Sequence, residues 1–323
     1  MNTSETISEF VIVGLSEFKD NKTLLFVLFL LAYMTILGGN TMIIYLVRTD
    51  AKLSSPMYFF LHNLSFVDIV YTSVTIPNML SGLLTGTNTI SVAGCFLQMY
   101  WFISMAVTGR SLLTVMAFDR YVAICNPLRY TAIMTQKVRL LLICGAWGFG
   151  MACTLPAISA VSRLPFCGAN RVRHCFCDPS SVMRLACADV AAVSRLSLAC
   201  AMVALLGTLA LVLSSYAAIG ASVGRMGSWE VRRKAFATCA SHLTVVSLSY
   251  GSAAFVYTSY RVGDFSADVR IIVAILYSAL TPLLNPVIYS LRNRELRDAV
   301  RRAFCCRRRA VSPRARKTAA APA

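Results

Sequence analysis

Apolar residues in this chain come in long unbroken runs rather than in alternation. Seven runs reach the length that a helix needs to cross a bilayer, about 20 residues. They lie near 24–47, 57–81, 95–119, 138–160, 196–223, 235–259 and 269–291. Such lengths predict helices, not the roughly ten-residue alternating strands of a membrane barrel. No internal repeat relates the runs, which leaves an inverted-repeat transporter with little support. Residues 1–23 are polar and lack an apolar core ending in a small-residue cleavage site, so the first run is expected to serve as signal and anchor. The expected fold is an all-α membrane protein: a seven-transmembrane helix bundle over 24–291, with a polar tail 1–23 before it. A basic tail 292–323 follows, with a short amphipathic helix after the seventh span.

Composition agrees. The chain is 57% hydrophobic and 14% charged, whereas a soluble domain has about 25% charged residues. The 31 Lys and Arg against 14 Asp and Glu raise the question of nucleic acid, but their placement answers it. Most fall after runs one, three, five and seven, and the stretch "RRAFCCRRRAVSPRARK" alone is dense with them. Positive residues collect on the cytoplasmic side, so the amino terminus is expected outside and no nucleic-acid partner is expected. The sequon Asn2-Thr3-Ser4 fits an outside tail and makes Asn2 a glycosylation candidate. The basic tail suits anionic inner-leaflet lipid, or is a plain solvated stop signal. Within it Cys305 and Cys306 are palmitoylation candidates.

Candidate chemistry gathers at helix ends. "MAFDRYVAIC" at 116–125 closes the third run with Asp119, Arg120 and Tyr121. A charge at that depth costs little compared with the bilayer centre. The two charges can pair at rest and be released toward a cytoplasmic partner; the plainer reading is a snorkelling helix-end arginine. Further short stretches occur in order along residues 1–300: "GN" at 39–40, "PMYFFLHNLSFVD" at 56–68, "MAFDRYVAICNPLRY" at 116–130, "SY" at 215–216, "KAFATCASHLTVVSLSYG" at 234–251 and "PLLNPVIYSLRN" at 282–293. Together they resemble the olfactory (odorant) receptors, a branch of the rhodopsin-like G-protein-coupled receptors.

The resemblance implies roles for particular residues. Asn40, Asp68 and Asn285 are polar groups within three different runs, and such groups face the bundle interior and bond one another. Pro282 and Pro286 remove backbone donors from the seventh helix and let it bend. Tyr216 and Tyr289 match the family tyrosines that meet the Arg120 region when inner helix ends move, and Lys234 is placed to touch a G protein. Of 12 cysteines, five are expected outside or at the outer rim, where disulfides form. The family pairs Cys95 with Cys177 and Cys167 with Cys187, leaving Cys175 over. His174, Cys177 and Asp178 also look like a short metal-ligand pattern proposed for the family, but disulfide and metal compete for Cys177, and no metal site is assigned.

For the ligand, the family points inward Phe102, Ile103, Ala106 and Val107 in the third run, and Cys200 and Ala204 in the fifth. Tyr250, Ala253, Ala254 and Tyr257 in the sixth, with Ile275 and Ser278 in the seventh, complete the expected pocket. The set is mostly apolar, like other small-molecule sites, and position 102 carries no acid. An uncharged, largely hydrophobic molecule is therefore expected. Two departures from the family stand out. Phe118 replaces the usual tyrosine before Asp119. At 108–111, "TGRS" has Gly109 where the family has glutamate, followed by Arg110. An arginine near mid-membrane costs roughly 2.5–3.5 kcal/mol on insertion scales unless it finds a partner or water. Either it pairs with Asp68 in place of a bound sodium ion, or it impairs folding.

The function expected is that of an odorant receptor, not an enzyme and without a cofactor. It would sit in the plasma membrane, by family in olfactory cilia, and signal through a stimulatory heterotrimeric G protein that raises cyclic AMP. A rhodopsin-like receptor for a non-odorant endogenous ligand shares this fold. A channel or transporter would need more than Asp68 and Arg110 deep in the spans. "GFGMAC" at 148–153 is too deep in an apolar run to be a phosphate loop.

Overall fold

The computed structural model describes residues 7–14, 22–86, 88–167, 169–225, 227–261 and 267–311, without the side chains of Val231, Lys234, 256–261, 267–277, Arg292 and 304–311. Asn2 and the side chains of Lys234, Tyr257, Ile275, Cys305 and Cys306 thus lie outside the described residues. In chain order the helices are α1 (Lys22–Thr49), α2 (Pro56–Ser73), α3 (Ile76–Thr85), α4 (Val92–Cys125), α5 (Tyr130–Ile133) and α6 (Gln136–Ser162). They continue with α7 (Pro179–Met183), α8 (Ala191–Gly224), α9 (Trp229–Arg261), α10 (Ala267–Arg292) and α11 (Arg294–Val311). The seven spans are α1, α2 with α3, α4, α6, α8, α9 and α10. Among the described residues the first five are long and apolar enough to cross a membrane by length and composition. The inner third of α9, with Arg232 and Arg233, is basic.

Each expected run becomes a helix, and most extend beyond it because polar end residues close the turns. Ser91 accepts from the Gly94 amide at the start of α4, and Thr135 accepts from the Val138 amide at the start of α6. The second span differs: it is two helices, not one. Pro77 cannot donate an amide, and around it the ladder slips, with Thr75 N bonding Thr72 O at 3.3 Å instead of completing a regular turn. After α10, the Asn293 side chain accepts from the amides of Glu295 and Leu296 and starts α11, the expected amphipathic helix.

The rod α4 runs through the middle, packed on α2, α6, α8 and α9. Its Leu112, Leu113 and Met116 join Leu61, Leu64 and Val67 of α2 and Val245 of α9 in the main core. By contrast only 17% of the apolar window is buried in α1 and in α8. Leu31, Leu206 and Leu211 lie on their outer faces, as suits helices that turn one side to lipid.

One feature of the outer end was not expected from the runs: a three-stranded sheet. The strand β1 (Glu9–Ile12) lies between β2 (Thr89–Ser91), antiparallel, and β3 (Arg171–Val172), parallel. Glu9 faces out while Phe10 and Ile12 are buried, the period of two that one covered face demands. Phe10 meets the Phe166 ring edge-on at 5.6 Å. The outside tail thereby becomes part of the cover over the bundle.

Candidate functional site

Two hollows flank the middle of α4, one toward the outer end and one toward the inner. The outer cavity has a volume of about 320 Å³. On α4 its walls are Phe102, Ile103, Ala106, Val107 and Arg110, successive positions on one helical face. Of the other expected pocket residues, Cys200, Ala204 and Ala253 also line it. Tyr250 and Ser278 are buried outside its described walls, Tyr250 within the main core. Ala254 is exposed, one position and about 100° past Ala253. The residues that sequence reasoning missed come from α6, namely Cys153, Thr154, Ala157 and Ile158, from the outer loop at Asp178, Pro179, Ser180 and Met183, from α2 at Tyr71, and from α8 at Ser194, Leu198 and Ala201. The Ser197 hydroxyl also lines this space, buried and without a hydrogen bond among the described residues.

The loop is fixed from two sides. Cys95 of α4 is joined to Cys177 and Cys167 to Cys187, the family pairing. Gln98, one turn below Cys95, accepts from the Cys177 amide at 3.0 Å and donates to Val74 O at 2.9 Å. It thus ties the loop to the break in the second span, a role no pattern in the sequence announces. Cys175 packs in an apolar cluster with Ile36 and Phe176, and leaves room there only for a glycine at position 14. His174 is buried against the Phe176 ring, and that burial holds its imidazole below the usual pKa. Asp178 accepts from the Ser181 amide and hydroxyl and from the Ser180 hydroxyl, capping α7. With Cys177 in a disulfide, the His174–Cys177–Asp178 pattern is not a ligand set.

Arg110 borders two hollows of the bundle. Asp68 Oδ2 accepts from Asn285 Nδ2 at 2.7 Å. Gly109 is the residue that faces α2, where a Cβ would lie 3.7 Å from Val67 Cγ1. Arg110, about 100° further round, lines the outer cavity, as well as a smaller hollow of about 50 Å³ beside Asp68 and Asn285.

The third polar residue of this group, Asn40, has a separate task. In α10, Pro286 has no amide to offer Pro282 O four residues back, and Asn40 Nδ2 donates to that orphan carbonyl at 3.2 Å. Gly39 makes the approach possible, since a Cβ there would sit 2.9 Å from Pro286 Cβ. Asn40→Ala is therefore expected to strand a buried acceptor and cost about 1–2 kcal/mol. The thermal unfolding midpoint of the purified receptor checks this, with Asn63→Ala as control. The Asn63 amide reaches only Phe59 O in its own helix, so that change should be nearly silent.

The inner crevice, about 880 Å³, has Arg120, Arg233, His242, Tyr289 and Glu295 in its walls. Asp119 is fully buried. It accepts from Arg120 Nε at 3.1 Å and from Nη2 at 2.5 Å, and Tyr130 of α5 donates to its other oxygen at 2.7 Å. Burial and the Asp119 carboxylate push the Tyr130 phenol up, so it stays a donor. Tyr121 joins Ile219 and Val223 of α8 in a small inner cluster. His242 Nε2 donates to Leu113 O at 2.9 Å, and its Nδ1 meets the Tyr216 hydroxyl at 2.7 Å. This ring bonds α9 to both α4 and α8. The Tyr289 hydroxyl is buried nearby without a hydrogen bond among the described residues. In the wall of the crevice, Tyr58 OH lies 2.6 Å from Glu295 Oε2. Arg302 bonds Asp50 at 2.6 Å and holds that carboxyl below its ordinary range; both contacts anchor α11 under the bundle.

A largely apolar outer cavity and a charged inner crevice are thus both lined by one central helix, α4. The backbone matches the crystal structure of squid rhodopsin with a TM-score of 0.70 over 86% of this chain and 79% of that one, at 17% identity. Human olfactory receptor 5AN1 is 43% identical over 296 residues, 92% of this chain and 95% of the relative. Mouse olfactory receptor 10J5 is 43% identical over 302 residues, 94% and 97% of the two. The olfactory receptor family model matches residues 29–307. The chain belongs to the olfactory receptor family.

Proposed function

We propose that this receptor binds a small, largely hydrophobic volatile molecule in the outer cavity and activates a stimulatory heterotrimeric G protein from the inner crevice, raising cyclic AMP. As a family member it is a multi-pass plasma-membrane protein; by the same reading it works in the cilia of olfactory neurons. The observation that carries the proposal is the single helix α4 lining both hollows, with Phe102 to Arg110 on the cavity and Arg120 on the crevice. A ligand that packs better in one arrangement of the helices shifts the population toward it. The inner side then changes through the Asp119–Arg120 pair within α4 and through contacts that cross helices, Tyr216–His242 and His242–Leu113. In this reading Lys234 and the helix-end Tyr121 face the G protein, Tyr289 takes a new partner near Arg120, and the basic tail with Cys305 and Cys306 meets inner-leaflet lipid.

The test is a cyclic AMP assay in transfected cells against a panel of volatiles, with surface display measured on an amino-terminal tag. A concentration-dependent rise with at least one volatile is expected. Silence to the whole panel from a well-displayed receptor overturns the reading.

A further inference from the structure

We infer that the ligand is a monocarboxylate with an apolar body, its carboxylate held by Arg110 at the inner end of the outer cavity. This rests on the odorant-receptor reading and narrows it to one chemical class. Apolar pocket residues alone suggest a neutral guest, but they omit the one side chain whose direction the sequence conceals. Gly109 turns toward α2, and Arg110, which also borders the small hollow beside Asp68, lines the outer cavity one turn below Ala106 and Val107. A guanidinium is a planar fork that matches a carboxylate with two parallel N–H···O bonds. In a space with little water such a pair is far stronger than at a surface.

The remaining walls suit the rest of such a molecule. Above Arg110 stand Ala106, Val107, Ile103 and Phe102, with Ala157 and Ile158 opposite. At the ~30 Å³ that a small group occupies in a liquid, about 320 Å³ holds roughly ten non-hydrogen atoms, a straight-chain acid of about eight carbons. Among the described walls the other charge is Asp178. Asp178 follows Cys177, which is bonded to Cys95. Fifteen residues of helix separate Cys95 from Arg110, a rise of about 22 Å. The two charges thus stand at opposite ends. The Asp178 carboxylate already accepts from Ser180 and Ser181, which makes it a poor anchor for an amine, while its charge disfavours a second carboxylate at the mouth. One anionic head inward and an apolar tail outward is the arrangement that satisfies both ends.

The experiment uses the full-length receptor on cells and compares straight-chain acids around eight carbons with their methyl esters, the matching alcohols and the matching α,ω-dicarboxylates. The acid is expected to act at a half-maximal concentration about 10- to 100-fold below its ester, as one charged hydrogen-bonded contact implies, and the dicarboxylate to be weak. Arg110→Gln should bring acid and ester together, and Arg110→Lys, a charge without the fork, should keep part of the preference. Equal potency of acid and ester on the wild type overturns the inference with no mutant needed, so poor display of a variant does not shelter it. Acid preference surviving in displayed Arg110→Gln overturns it too. A receptor answering alcohols and esters but not acids defeats this inference and leaves the odorant reading standing; silence to every compound defeats the reading itself.

Discussion

Arg120→Ala should abolish the ligand-driven rise in cyclic AMP while leaving most of the receptor at the surface. Arg120 borders the inner crevice, and its guanidinium is held to Asp119 by two bonds, at 3.1 and 2.5 Å. Removing it takes away the cation that an opened crevice presents to a partner, and leaves Asp119 with the Tyr130 hydroxyl at 2.7 Å. Breaking a fully buried pair by truncation costs several kcal/mol, but here the arginine side chain is 12% exposed, so some water reaches the pair and folding should survive. Asp119→Asn provides the opposite sign. A neutral amide holds Arg120 less tightly, and if the loss is about 1.4 kcal/mol, the released population grows about tenfold. Ligand-independent cyclic AMP should rise accordingly, measured against surface display. A normal ligand response from Arg120→Ala would remove Arg120 from the switch.

How much of this was readable beforehand follows from what surrounds each residue. Long apolar runs and the one-sided spread of Lys and Arg report on the bilayer itself, so the seven spans and the inside end came directly from the chain. Direction around a helix axis did not. In a soluble bundle polar residues mark the outer face, whereas here α4, α6 and α8 meet lipid or protein all round and the marking is erased. That is why Cys153, Thr154, Ala157 and Ile158 of α6 went unassigned to the cavity, and why Ala254 was placed in it. The strand β1 was hidden for another reason. Residues Glu9–Ile12 are too short to declare themselves, and their partners lie at Thr89–Ser91 and Arg171–Val172, so pairing rests on contacts far away in the chain. Asn40, by contrast, could be explained once Pro286 was seen to orphan a carbonyl.

The second large effect is expected at Gly150, in the stretch "GFGMAC". A Cβ there would lie 2.1 Å from Thr108 Oγ1, 2.9 Å from Ser104 O and 3.0 Å from Thr108 N. The hydroxyl can turn away, but the carbonyl and amide belong to the backbone of α4 and cannot. Ser104 and Thr108 are both fully buried, so α6 must be pushed off α4 along its whole outer half, where Thr154, Ala157 and Ile158 face the ligand cavity. Overpacking a close contact costs about 1–3 kcal/mol, and Gly150→Ala should fall at the upper end of that range, with Gly150→Val losing surface display altogether. Gly148 is the internal control. Nothing lies within 4 Å of a Cβ at that position, so Gly148→Ala should keep the packing and gain up to about 1 kcal/mol from helix propensity. Two glycines two residues apart in one helix are thus expected to shift the thermal unfolding midpoint in opposite directions. If both alanine variants melt alike, the close crossing of α4 and α6 does not hold the outer cavity open, and the ligand must be supported by other walls.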